Sequence, residues 1–233
     1  MAQDRPRRGR QTELPLAADT PRPRDEAYAR FKAQLLRGEI RPGQMVSLRE
    51  LVERLGTPLA AVREALSRLE GERLVRVYAQ RGIQVAPIDM AFMREAFQLR
   101  RLLECEGVRA LVDLGEPDAL EGLAQRFNAL RRAATEGLSA VVRAEAASAD
   151  RALHEAIIGA LNSATISDLY TQISEKLQLV RSAAAFPPGG MVLAATEEHL
   201  AIIAALQRRD HQGASAALAA HLDAAMRRQM GMR

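Results

Sequence analysis

Apolar positions recur along most of the chain at helical spacing, and the places where that spacing breaks mark its organisation. Tyr28, Phe31, Leu35 and Leu36 share one helical face, and the turn residues Arg41, Pro42 and Gly43 close this first helix. Ser47 then precedes Leu48, Leu51, Val52 and Leu55, an apolar stripe that ends at Gly56. Ser47 is a natural N-cap, and Glu50, three residues on, completes a capping box. Thr57 and Pro58 open the next helix as cap and first-turn proline, with Val62, Ala65, Leu66 and Leu69 facing inward. The period then drops to two in "LVRVYA" and "GIQVAP", which flank "QRG" and predict a short hairpin. A helix, a helix-turn-helix and a hairpin make a winged helix-turn-helix, which lays its last helix in the DNA major groove and its hairpin tip along the minor groove.

From Asp89 onward every segment has helical period. Helices are predicted over 90–114, 117–136, 139–161, 165–185, 195–208 and 211–229, with "LGEPDA", "EG", "LNSA", "FPPGG" and "RRDHQG" between them. Without a second strand region this half is an antiparallel bundle of about six helices, and the fold class is mainly α. Residues 1–24 hold four Pro and six Arg with no apolar period, and are expected to form a disordered basic arm. The expected domains are therefore the arm at 1–24, a DNA-binding domain at 25–88 and a helical domain at 89–233.

Composition narrows the function classes. In 233 residues, 48% of them hydrophobic, no run approaches the ~18 apolar residues of a membrane span. The N-terminus lacks a secretory apolar core, and the single cysteine, Cys105, precludes an internal disulfide. A cytoplasmic protein with no membrane partner is expected. The net charge of +4 is uneven: six bases against three acids in 1–24, eleven against eight in 25–88, and sixteen against eighteen in 89–233. The basic first third fits a polyanion. With 3% aromatic residues and no Trp, stacking on single strands is disfavoured and double-stranded DNA is the expected partner.

The bundle carries polar residues where its pattern calls for apolar ones. Asp150 and His154 lie four apart in "ADRALHEAIIGAL", so their Cβ atoms are about 5–6 Å apart on one helix face. Spacing alone fits either a polar pair in the core or two ligands of one ion. His199 in "TEEHLAIIAAL" and His221 in "AAHLDAA" are likewise flanked by Ala, Leu and Ile. Buried imidazoles need partners, and three of them with one carboxylate can share a metal. Three nitrogen donors and one oxygen suit Zn²⁺, Ni²⁺ or Mn²⁺. Glu155 follows His154 by one residue and points about 100° away. Glu197 and Glu198 are expected at a helix N-terminus, where acids are stabilised, and His211 in an exposed turn.

The stretch 36–87, with "PG", "REL", "RLG", "VREAL", "RLE", "LV" and "RG" in that order, resembles the DNA-binding domain of GntR-type bacterial transcription regulators. The helical remainder resembles the ligand-binding domain of the FadR-like branch, and the two together cover everything but the arm. The resemblance implies DNA contacts by Arg49, Arg63 and the wing tip Arg81-Gly82. It also puts Leu59 where the family commonly has a base-reading arginine; leucine cannot donate to guanine but can touch a thymine methyl. In the helical domain, Asp150, His154, His199 and His221 match the family's metal-binding pattern. Arg101 in "RRLLE" matches its inward arginine on the first bundle helix. Asn162 and Arg181 are further candidates for an effector pocket.

The implied protein is no enzyme. It is a homodimeric repressor whose operator affinity is set by a small carboxylic acid bound beside a divalent metal. Two other readings of the residues remain: the same regulator with a metal-free pocket, and a metal-dependent hydrolase fused to a DNA-binding domain.

Overall fold

The computed structural model describes residues 22–231 apart from 88, 116 and 184–188, and nine helices and three strands lie among the described residues. α1 (Pro23–Leu36) begins with proline at its first position and Asp25 and Glu26 in its first turn, the arrangement a helix start favours. Pro23 and Arg24, expected in the arm, are thus already helical; the rest of the arm, save Arg22, lies outside the described residues. α1 buries Ala27, Phe31 and Leu35. A two-residue strand β1 (Met45–Val46) leads into α2 (Leu48–Leu55), where Ser47 Oγ accepts from the Glu50 N–H and Gly56 ends the helix at a positive φ of 61°. The Glu50 carboxylate pairs with Arg54 one turn on.

α3 (Leu59–Gly71) departs from expectation at its start. Pro58 is the N-cap, with extended ψ and no side-chain cap bond, and the buried Thr57 hydroxyl has no hydrogen-bond partner. The extended proline delays the helix by one residue and takes Thr57 out of capping reach. β2 (Val75–Tyr78) and β3 (Gly82–Val85) form the expected hairpin, and β1 adds to it in the order β1-β3-β2. Met45 faces Gln84 and Val46 faces Ile83. Phe31, Leu51, Leu66, Leu74 and Ile83 fill the core between this sheet and the helices.

The remaining helices are α4 (Met90–Leu114), α5 (Pro117–Glu136), α6 (Ala140–Gly159), α7 (Ala164–Ala183), α8 (Gly189–Gln207) and α9 (His211–Gln229). Asp89, Ser139 and Asp210 cap their helices with side-chain oxygens. Phe97, Val108, Phe127, Leu153, Ile157, Ile202 and Leu218 meet in one core. At Gly107 a Cβ would lie 2.3 Å from the Ile157 carbonyl oxygen, so α4 and α6 approach more closely than any side chain allows. No helix among the described residues is long and apolar enough to cross a membrane.

The two halves meet where α7 packs on α1. Leu179 is fully buried within the DNA-binding domain's core. The Gln178 amide donates to the Leu36 carbonyl at 3.4 Å. Lys32 ties three elements together, lying 2.8 Å from Glu175 on α7, 3.0 Å from Glu72 after α3 and 2.7 Å from the Tyr28 hydroxyl.

Gly107→Ala should force α4 and α6 apart and cost about 1–3 kcal/mol, the usual penalty of overpacking. Thermal melts followed by circular dichroism should show a lower Tm with unchanged helical signal.

Candidate metal centre

Three helices bring four side chains to one point inside the bundle. α6 supplies Asp150 and His154, α8 supplies His199 and α9 supplies His221, and one ligand atom from each lies within 4.8 Å of all the others. The three imidazoles are at most 3% exposed. Their rings crowd together, with 4.3 Å between the centroids of His199 and His221. Asp150 Oδ1 is 3.2 Å from His199 Nε2 and 3.7 Å from His154 Nε2. Both Nε2 atoms are buried and make no hydrogen bond. Two unsatisfied buried nitrogens facing one carboxylate are costly by themselves. A divalent cation accepting their lone pairs would remove that cost, so the residues present fit a metal.

Two further carboxylates aim the rings. His154 Nδ1 is 2.6 Å from Glu104 Oε2, and Glu104 in turn takes the Arg100 Nε–H at 2.5 Å. His221 Nδ1 is 2.8 Å from Glu198 Oε2, and Arg228 holds both oxygens of Glu198 at 2.7 Å. An imidazole that donates through Nδ1 to a carboxylate presents its Nε2 lone pair outward, the tautomer a metal needs. His199 is steadied differently, by its ring against Phe127 at 4.8 Å.

Charge in this layer is tightly set. Burial works to raise the Glu104 carboxyl, but Arg100 and then His154 outweigh it and hold Glu104 down at about 2. Glu198 is likewise lowered to about 2: burial opposes this, and Arg228 and His221 overcome it. Burial lowers His221 to about 4 despite Glu198, and lowers His199 despite Asp150. These two imidazoles are therefore neutral and ligand-competent at neutral pH.

The aiming layer was the part that sequence reasoning missed. Arg100 and Glu104 sit on the buried stripe of α4 with Phe97, Val108 and Leu111, and an opposite-charge pair four apart on such a stripe was the available signal. Glu198 is in the interior of α8, because that helix begins at Gly189 rather than near residue 195. It serves His221 and is no N-terminal acid.

The effector candidates fare unevenly. Arg101 is half-exposed on the outside of α4, where it pairs with Asp223 of α9 at 3.1 Å. Its neighbour Arg100, about 100° round the helix, is the arginine that points inward, and it lines a cavity of about 160 Å³ beside the cluster. Asn162 is exposed at positive φ in the turn between α6 and α7 and does not line that cavity. The side chain of Arg181 lies outside the described residues. Glu155, expected to point away, lines the cavity with Asp150 and His154. His211 is the first residue of α9, exposed and 3.2 Å from Asp113.

In the other domain Arg49, Leu59, Arg63 and Arg81 are all exposed. Gly82 has a φ of 109°, and a Cβ there would lie 2.8 Å from the Val46 carbonyl oxygen, so pairing of β1 with β3 already demands glycine.

Residues 95–224 match the family model of the FCD domain, and residues 23–85 match that of bacterial regulatory proteins of the gntR family. The chain belongs to the GntR family, with an FCD domain. This GntR-family protein is a DNA-binding transcription regulator. It is 29% identical over 216 residues to BphR of Paraburkholderia xenovorans, described as an uncharacterized HTH-type transcriptional regulator, spanning 89% of this chain and 86% of that one. Among solved structures, it resembles Escherichia coli McbR/YncC with a TM-score of 0.74 at 21% identity, over 91% of this chain and 99% of that chain. The Zn²⁺-bound FCD domain of TM0439 matches with a TM-score of 0.51 at 21% identity, over 63% of this chain and 96% of that chain.

Acid should unfold the metal-free regulator in two overlapping steps. Unfolded histidine binds protons near pH 6.5, whereas folded His221 resists them down to about 4, so stability falls as pH drops through that window. Glu104 and Glu198, lowered from 4.5 to about 2, contribute stability above the higher value that is lost toward the lower. Thermal melts of chelator-treated protein should show Tm declining from pH 6.5 downward; a Tm constant between pH 6.5 and 5 would contradict the buried neutral imidazoles.

Proposed function

We propose that this GntR-family regulator is a homodimeric, metal-containing repressor released from its operator by a small carboxylic acid. The observation that carries the metal is the pair of buried, unpartnered Nε2 atoms of His154 and His199 facing Asp150. Asp150, His154, His199 and His221 would hold one Zn²⁺, Ni²⁺ or Mn²⁺, which supplies a Lewis-acidic charge able to bind an anion. Arg100 at the neighbouring cavity adds a second fixed positive charge, and a carboxylate is the anion these two select. The Zn²⁺ bound to TM0439's FCD domain supports the same assignment.

On the DNA side, Arg49, Leu59 and Arg63 would enter the major groove while Arg81 and Gly82 follow the minor groove. Two-fold symmetry would make the operator a short palindrome. The domain contact offers a route between the sites: the cavity is lined by Glu175 and Gln178 of α7 and by Leu36 of α1. An occupant that moves α7 therefore acts on Lys32 and on the seat of α1. By linkage, operator DNA would weaken effector binding by the same factor as effector weakens operator binding.

Plasma mass spectrometry of dialysed, untagged protein should find about one metal per chain, lost in His199→Ala. Glu198→Gln should keep the metal but surrender it to a competing chelator with about 10–100-fold lower affinity, as expected when a ring loses its orienting carboxylate. Metal-free wild type after supplementation with all three ions would refute the centre. Operator affinity, measured by fluorescence anisotropy on a duplex selected from a random library, should fall when a recognised carboxylic acid is added. Glu175→Gln should blunt that response while leaving the affinity for DNA alone within about threefold, the scale of one exposed or half-buried ion pair.

A further inference from the structure

α1 and α3 lie side by side and run in the same direction. Arg24 Nη1 is 3.4 Å from Glu64 Oε2, the Arg68 guanidinium lies 3.6 Å from the centre of the Tyr28 ring, and Lys32 is 3.0 Å from Glu72. The first and last of these pairs share a sequence offset of 40, as parallel helices require. Ala27, Ala61 and Ala65 pack together between the two, and contacts this small let the axes stand about 8–10 Å apart. The start of α1 therefore sits one helix width from the first two turns of α3, where Leu59, Ala60, Arg63 and Glu64 are exposed. That is the end of α3 that a helix-turn-helix turns toward the bases. The other end of α1 rests on α7, so the chain preceding Arg22 is delivered beside the DNA and away from the bundle.

The start of α1 is itself balanced in charge. Arg22 and Arg24 stand beside Asp25 and Glu64, so this point contributes position, and the attraction lies further back. The stretch "RPRRGR" sets Arg5, Arg7, Arg8 and Arg10 close together, with Asp4 beside them and no apolar side chain among them. Guanidinium forks match the paired oxygens of a phosphate, and a duplex carries one negative charge per about 1.7 Å of its axis. The helical domain, with sixteen bases against eighteen acids, offers these arginines no comparable polyanion. The chain from Arg10 to Arg22 can span at most about 40 Å, which exceeds the roughly 34–36 Å helical repeat of duplex DNA. The four arginines can thus reach phosphates outside the bases that lie under α3.

We propose that Arg5, Arg7, Arg8 and Arg10 form a second DNA contact, which takes the phosphates flanking each operator half-site while α3 reads the bases. The inference rests on the reading that α3 enters the major groove. It adds a contact made by charge alone, which raises affinity for any duplex long enough to carry the flank and leaves the choice of operator to Leu59 and Arg63. The helix-turn-helix supplies selection, and the arginine cluster supplies retention.

Fluorescence anisotropy of the full-length protein tests this on two duplexes, one ending at the edges of the half-sites and one extended by about a helical turn on each side, between about 50 and 200 mM salt. On the extended duplex, a variant carrying Arg5→Ala, Arg7→Ala, Arg8→Ala and Arg10→Ala should bind about tenfold or more weakly than wild type at the low-salt end. The slope of log affinity against log salt should be shallower by about 3 per chain, at ~0.9 for each phosphate neutralised. On the short duplex the two proteins should be indistinguishable, and the preference for operator over scrambled sequence should be the same for both. Lysine at the four positions should restore most of the slope, since it keeps the charges. Equal slopes for wild type and the alanine variant overturn the contact. A loss of the same size on short and extended duplexes overturns its place on the flanks, and a changed operator preference overturns its independence of sequence. Arg63→Ala separates the reading beneath: it should abolish operator preference on both duplexes, and a preference that survives it overturns the placement of α3.

Discussion

Three imidazoles packed into the interior of a helical bundle impose the constraint on which the rest of this half of the molecule depends. Each must point a lone pair inward from a position almost closed to solvent. The fold answers by holding two of them from behind with charge pairs: Arg100 holds Glu104, which holds His154, and Arg228 holds Glu198, which holds His221. Ion pairs of this kind are poor contributors to net stability, because desolvation consumes most of the Coulomb attraction. Their value lies in orientation. Four helices contribute to the two chains, so the positions of α4, α6, α8 and α9 relative to one another are written into the tautomers of two rings.

Most of the architecture was legible because punctuation and period agreed. Helix boundaries in the bundle followed Asp89, Gly115, Ser139 and Asp210, each a capping or breaking residue with a local mechanism that tertiary context does not override. What escaped was structure that depends on partners distant in sequence. β1 is two residues long and owes its existence to pairing with β3, so no alternation announces it. The α3 cap moved because Pro58 takes an extended conformation that the Thr-Pro pattern alone does not disclose.

The site divides along the same line. Asp150, His154, His199 and His221 stood out as polar interruptions of apolar faces, and the structure places all four together. Arg101 and Arg100 are adjacent, so a one-residue ambiguity decided which would be called the inward arginine; packing of α4 against α6 and α9 resolves it in favour of Arg100. Glu104 is not legible as a site residue from local pattern, because its partners His154 and Arg100 reach it only through packing of α4 on α6. It is fully buried, and the stripe it occupies was visible.

The burial of Leu179 has a consequence for how such proteins can be assembled. A side chain from the seventh helix completes a core otherwise built from residues 31–85, so the boundary between the two matched families is not a boundary between two independent folding units. Cutting the chain near residue 88 would leave a leucine-sized hole in the smaller piece, and grafting its DNA-binding half onto a foreign bundle would require that bundle to present an apolar residue at the same place. The recombination of modules that the family architecture invites is therefore constrained here by the seat of α7 on α1, with Leu179 at its apolar centre.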